Sequence, residues 1–203
     1  MESINGDILV HPSEVIYVHG QPSTTQGFYG NGVYLNGNQQ YLDAGTNMLC
    51  GGNLNNCRRG FTMRYRMKPN ELADNTYFMS NAMSDVYYKD GYLYAVFRAP
   101  GQQWLLKSNK LAPNQWQMVD ISWHPKLGAS MWLDGQPVDQ MRTAMAPDQP
   151  YNPNRRFYIG RANTNMRQEK YPNAVIDDVQ LWEARRDYLL GMGLFLAGTH
   201  REC

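Results

Sequence analysis

The chain has few of the residues that enzymes use and none of the short motifs that arrange them. Its four histidines, His11, His19, His124 and His200, are scattered along 203 residues and read as neither a catalytic nor a metal-binding cluster. There is no H-E-x-x-H, G-x-S-x-G or C-x-x-C, so zinc-peptidase, serine-hydrolase and dithiol chemistry have no support. Ser130, in Gly128-Ala129-Ser130-Met131, lacks the following glycine of a nucleophile elbow. Charge of one sign is missing as well: 19 Lys and Arg against 18 Asp and Glu leave a formal +1, which does not point to nucleic acid. No apolar run approaches the roughly 20 residues of a membrane span; the longest candidate lies within Glu183–Ala197 and is interrupted by Gly191 and Gly193. No N-x-S/T acceptor occurs, and the first residues, MESINGD, are polar where a secretory signal would be apolar. A secreted form is therefore expected to be cut from a longer precursor.

What the chain does have is turn residues and aromatics: 18 glycines, 11 prolines and 14 tyrosines, the composition of many short strands joined tightly. There are no internal repeats and no low-complexity tract, so residues 1–203 read as one domain, with a core over about 15–183 and a helical or irregular tail over 184–203. The clearest local signal is Trp116–Gly135. Gln117, Val119, Ile121 and Trp123 share one face, Met118, Asp120 and Ser122 the other, which is the period of a half-buried strand. Pro125 and Gly128 break the run, Ser130–Leu133 resumes it, and Asp134-Gly135 turns the chain again. This is a predicted β-hairpin.

The hairpin's wording, a strand opened by Trp and a second closed by Leu133-Asp134-Gly135, resembles the laminin G-like and pentraxin family of concanavalin A-like jelly rolls. Four more segments carry the resemblance in the same order. They are Gly32-Val33-Tyr34-Leu35-Asn36-Gly37 with Tyr41-Leu42-Asp43-Ala44-Gly45, the strand Gly60–Pro69 with Tyr65 at a usual Trp position, Phe157-Tyr158-Ile159-Gly160, and Ala174–Trp182 around Asp177-Asp178. The resemblance implies an all-β fold, a two-sheet antiparallel jelly-roll sandwich. Related jelly-roll glucanases carry E-x-D-x-x-E along one strand, aiming two carboxylates at one glycosidic bond. This chain has no such run, and Glu71 with Asp74, its nearest approach, lacks the third acid.

Cys50 and Cys57 enclose GGNLNN, a loop flexible enough to close into a local disulfide worth roughly 2.5 kcal/mol in the chain-entropy model. A metal or redox pair is the alternative, although six intervening residues are wider than a zinc half-site and no histidine is near. A disulfide places the chain in an oxidising compartment and leaves Cys203 over. The resemblance implies a structural calcium at Asp177, whose alternation with Val179 and Leu181 is expected to turn its carboxylate inward, with Asp178 facing away. The N-terminal loop Gly20–Gly27 supplies no second acid, so the ion competes with turn amides or an arginine as the partner. The paired-calcium ligand site of pentraxins is not met: Arg161–Lys170 holds one acid, Glu169, among basic residues.

Aromatics supply the other functional reading. Tyr87, Tyr88, Tyr92, Tyr94 and Trp104 gather in the middle third. Trp104, after the Pro100-Gly101 turn, and Tyr88 are the expected outward-facing ligand anchors. The resulting expectation is a non-catalytic, extracellular recognition or adhesion module of a larger secreted or cell-surface protein, binding a protein or glycan. A carbohydrate-binding lectin module is the alternative, and a divergent glycoside hydrolase comes third. The ligand, the parent protein and the oligomeric state are not legible in the sequence.

Overall fold

The structure, a computed structural model, describes residues 16–46, 49–148, 154–163 and 169–191. In chain order the strands are β1 (Tyr17–His19), β2 (Ser23–Gln26), β3 (Asn31–Asn36), β4 (Tyr41–Asp43), β5 (Phe61–Pro69), β6 (Thr76–Ser80) and β7 (Ser84–Lys89). Then follow β8 (Tyr92–Ala99), β9 (Gln102–Lys110), β10 (Gln117–His124), β11 (Gly128–Leu133), β12 (Gln136–Met141), β13 (Tyr158–Ile159) and β14 (Asn173–Trp182), and a short helix α1 (Arg186–Gly191). Two seven-stranded antiparallel sheets result, one ordered β1-β4-β13-β6-β7-β8-β9 and the other β12-β11-β10-β5-β14-β3-β2. This is the expected jelly-roll sandwich. The helix occupies the start of the expected tail, while residues 192–203, Cys203 included, lie outside the described residues.

The alternation seen in the sequence builds the core. On β10, Val119, Ile121 and Trp123 face inward; on β5, the central neighbour, Phe61, Met63, Tyr65 and Met67 are fully buried; Leu93, Ala95 and Phe97 of β8 meet them from the other sheet. Each such side chain removed from water contributes about 1.5–3 kcal/mol before entropy is counted. The β10–β11 hairpin has the expected register, Val119 opposite Leu133 and Trp123 opposite Ala129. Asp134 and Gly135 close the β11–β12 turn with φ of 50° and 78°, the left-handed pair a tight hairpin turn of this hand demands.

The outer side of β5 is covered at one end rather than solvated. Arg64 and Arg186 both pair with the fully buried Asp120, and Thr62 bonds Ser122 and the Ala184 carbonyl. These contacts fasten the start of α1 to the sheet. Cys50 and Cys57 are joined by a disulfide with Cα atoms 5.2 Å apart. Cys57 is buried in the core, and the Cys50 N–H donates to Glu183, just before the helix.

Candidate functional site

The outer face of the first sheet carries two clusters of aromatic residues that the core does not consume. At its β1 edge, strand register sets His19 opposite Tyr41 and Tyr158 opposite Asp43, while Leu42 and Ile159 turn inward. The His19 and Tyr41 rings stack 4.2 Å apart at 11°. Tyr158 meets Tyr41 edge-on at 5.8 Å, and Tyr171 lies 6.2 Å away. The Arg161 guanidinium sits 4.9 Å from both the Tyr41 and Tyr158 ring centroids. Beside this cluster opens a groove of about 940 Å³, at the large end of small-ligand sites. Its wall from the β3–β4 turn presents Asn36, Asn38 and Gln39; the facing wall presents Glu71, Thr76, Glu169 and Asn173.

Buried contacts hold these walls in place. Gln40, which is buried, donates its Nε2 hydrogens to the Gly20 and Gln21 carbonyls at 2.8 and 3.0 Å and accepts from the Asn36 N–H at 2.8 Å. One side chain thus ties the β1–β2 loop to the β3–β4 turn. Gly160 (φ +91°) lets the end of β13 pass under that turn, since a Cβ there would stand 2.6 Å from Leu35. Glu169 reaches back to the Ala162 N–H at 3.1 Å, accepts from the Tyr171 hydroxyl at 3.5 Å, and faces Arg161 Nη2 at 3.8 Å. Burial opposes the Arg161 charge, but Tyr41 and Glu169 outweigh it and raise its pKa. Tyr171 is raised by burial and by Glu169.

A second aromatic array crosses the same face farther from the β1 edge. Tyr77, Tyr87 and Tyr94, on adjacent strands, stack at 5.2 and 5.5 Å, and the Lys107 ammonium caps the row, 3.7 Å over Tyr92 and 5.8 Å from Tyr94. Because the rings cover one another's faces, this row offers edges rather than open faces to a ligand.

The two expected anchors are not among these residues. Trp104 is 5% exposed and lies in the core, edge-on to Trp123 at 5.5 Å; Tyr88 is 8% exposed and also faces inward. The reason is register. The Pro100-Gly101 turn sets Trp104 opposite Phe97, and Tyr88 is opposite Leu93, so each shares the side of an inward neighbour. Tyr87 and Tyr88 face opposite ways, and it is Tyr87 that turns outward. Outward tyrosines and inward ones have the same sequence signature, and only the cross-strand partners separate them.

Asp177 is also turned the other way. A β-bulge at Asp178 (φ 53°) shifts the register from Asp177 opposite Arg66 to Gln180 opposite Arg64. Ile176 and Val179 are therefore inward and Asp177 outward, under the β2–β3 hairpin. Its Oδ2 accepts from the Phe28 and Tyr29 N–H groups at 2.8 and 3.1 Å, and its Oδ1 from the Asp178 N–H at 2.8 Å. Gly27 allows that approach, since a Cβ there would lie 2.5 Å from Oδ2. These surroundings do not fit calcium, which needs converging oxygen acceptors; what converges on Asp177 is three N–H donors. Among the described residues no group of three or more His, Cys, Asp or Glu is placed to hold a metal. Asp178 instead pairs with Arg66 at 3.4 Å.

A family model described as the concanavalin A-like lectin/glucanases superfamily matches residues 36–187, from the groove's turn to the start of α1. The chain belongs to that superfamily. Solved structures share the superfamily fold at low identity. The binding domain of botulinum neurotoxin DC, in complex with rat synaptotagmin II, superposes with a TM-score of 0.62 at 11% identity over 92% of this chain and 47% of that one. A botulinum neurotoxin type C structure, whose report concerns cell entry dependent on two ganglioside molecules, gives 0.65 at 10% identity over 92% and 47%. Domain 4 of AbnA, a GH43 extracellular arabinanase from Geobacillus stearothermophilus, in complex with arabinotriose, gives 0.57 at 14% identity over 85% and 82%. The chain thus spans about half the length of the toxin chains, and nearly all of it superposes. No curated protein sequence matches it.

Proposed function

We propose that this concanavalin A-like domain is a non-catalytic recognition module of a larger extracellular protein, and that its ligand is a carbohydrate seated in the groove beside Tyr41. The observation that carries the reading is the groove itself: a large, mostly polar cavity whose side-chain amides, hydroxyl and charged groups suit sugar hydroxyls, bordered by a clustered set of rings. Two of the structures that share the fold carry a sugar in their description, gangliosides for one and arabinotriose for the other, which supports a glycan ligand here. The disulfide and the family support an extracellular setting. Against hydrolysis stands the state of the carboxylates. Glu169 is committed to an amide, a phenol and a guanidinium, and Glu71 is exposed, whereas a general acid needs apolar surroundings to keep its proton.

Titration of neutral oligosaccharides into the domain tests the reading. Tyr41→Ala, which unseats His19 and Arg161 together, is expected to weaken binding by about tenfold or more, as loss of an aromatic anchor does. Tyr94→Ala, on the stacked row, is expected to leave it unchanged. Equal effects of the two would remove the groove from the account, and turnover of the sugar would restore the hydrolase.

One observation favours a protein ligand as a second reading. At the tip of the β2–β3 hairpin, Phe28 and Tyr29 are 42% and 45% exposed, beside Trp116, with Arg66 4.1 Å from the Phe28 centroid. Aromatic and arginine side chains are the usual anchors of protein interfaces.

A further inference from the structure

The groove's charges say which sugars it takes, granted that it is a sugar site. Four charged side chains among the described residues line it, Arg161, Lys170, Glu71 and Glu169, two of each sign. Arg161 is the group best shaped to read a carboxylate, because a guanidinium offers paired N–H donors. Here it is already engaged. Its Nε donates to the Ala162 carbonyl at 3.2 Å, its Nη2 faces Glu169 Oε1 at 3.8 Å, and its plane lies against Tyr41 and Tyr158. Glu169 is itself fixed in that position, because its other oxygen holds the N–H of Ala162, the residue next to Arg161. Both charged groups are mostly buried, with side-chain exposures of 19% and 14%, so their pairing is screened less than a surface pair.

We infer that the groove takes a neutral oligosaccharide and rejects acidic sugars, because the Glu169 carboxylate stands beside the guanidinium that would otherwise read a ligand carboxylate. A sugar carboxylate entering beside Arg161 would meet Glu169 at close range, and two like charges there repel each other while both lose water. A hydroxyl meets no such obstacle. It donates to Glu169 or to a carbonyl and accepts from an amide or from the remaining guanidinium N–H groups. The rest of the rim, Asn36, Asn38, Gln39, Thr76 and Asn173, offers the same mixture of donors and acceptors with no net charge. Glu169 is therefore a specificity-determining residue rather than a catalytic acid.

The test uses matched pairs of oligosaccharides that differ only in oxidation of one hydroxymethyl group to a carboxylate, titrated calorimetrically into the domain. The neutral member is expected to bind about tenfold or more tightly than the acidic one, the effect of a like charge a few ångströms away. Its affinity should change little between low and high salt. Glu169→Gln, which keeps an oxygen for the Ala162 N–H and the Tyr171 hydroxyl but frees the Arg161 charge, should raise affinity for the acidic member relative to its neutral partner by about tenfold. Tighter binding of the acidic member to the unaltered domain, lost on Arg161→Gln, would overturn the inference while leaving the groove a sugar site. Failure of both members of every pair would instead overturn the reading of the groove on which it rests.

Discussion

Single residues do more than fill positions in this sandwich, and Asp177 shows how. Its carboxylate spends both oxygens on three backbone amides, two of them at a hairpin tip that bears exposed Phe28 and Tyr29. Hydrogen bonds to a charged acceptor contribute about 1.5–3 kcal/mol each, not additively. Asp177→Ala is accordingly expected to destabilise the domain by about 2–4 kcal/mol, and Asp178→Ala, which loses a single mostly buried ion pair 3.4 Å long, by less. Thermal melts of both variants check the ranking, and a chelator should leave the melt of the unaltered domain where it is. Equal losses at the two positions, or a melt lowered by the chelator, would return the cation to Asp177. The tyrosine row gives a second expectation. Burial, helped by Asp148 and Asp85 against Arg98, pushes the Tyr87 phenol up to about 12, while an unfolded tyrosine ionises near 10. The folded state thus holds the proton longer. Its contribution is whole below about pH 10 and is lost as pH rises from about 10 to 12. Stability should fall across that window, less steeply in Tyr87→Phe, and equal pH dependence of the two proteins between about pH 10 and 12 would contradict it.

At the scale of elements, the sequence was most legible where apolar and polar side chains alternate along a strand. The β10–β11 hairpin follows from that alternation, and the Cys50–Cys57 bridge from loop length and composition. Phase was harder. Tyr87 and Tyr88 alternate whichever of them is inside, so the choice between them rested on nothing local; the partner Leu93 decides it. Trp104 failed for the same reason, since a turn ahead of a residue does not say which side of the sheet it takes. Asp177 failed through the bulge at Asp178, where one extra residue reverses the facing of everything before it. The groove was illegible because it is assembled from β1, the β3–β4 turn, β13 and the segment before β14. His19, Tyr41 and the pair Arg161 and Glu169 come from three separate segments, and no one stretch of the sequence shows that they meet. Gln40, whose three buried hydrogen bonds tie the groove's loops together, reads in the sequence as one more polar residue of a turn.

Across the whole molecule, chemistry is divided between the two sheets. One outer face is closed at one end by the Arg64–Asp120–Arg186 group and α1, and carries the aromatic hairpin tip at the other. The opposite outer face carries the groove and the stacked tyrosines. A rigid sandwich with one preformed polar groove suits recognition, because its walls are set before the ligand arrives and little ordering remains to be done on binding. The most direct test of that claim is amide chemical-shift mapping of the isotopically labelled domain as a neutral oligosaccharide is added. Perturbed amides should cluster at His19–Gly20, Asn36–Tyr41, Arg161–Ala162 and Glu169–Asn173, with Phe28, Tyr29 and Trp116 unmoved. Saturable shifts centred on Phe28, Tyr29 and Trp116, with the groove silent, would contradict the account.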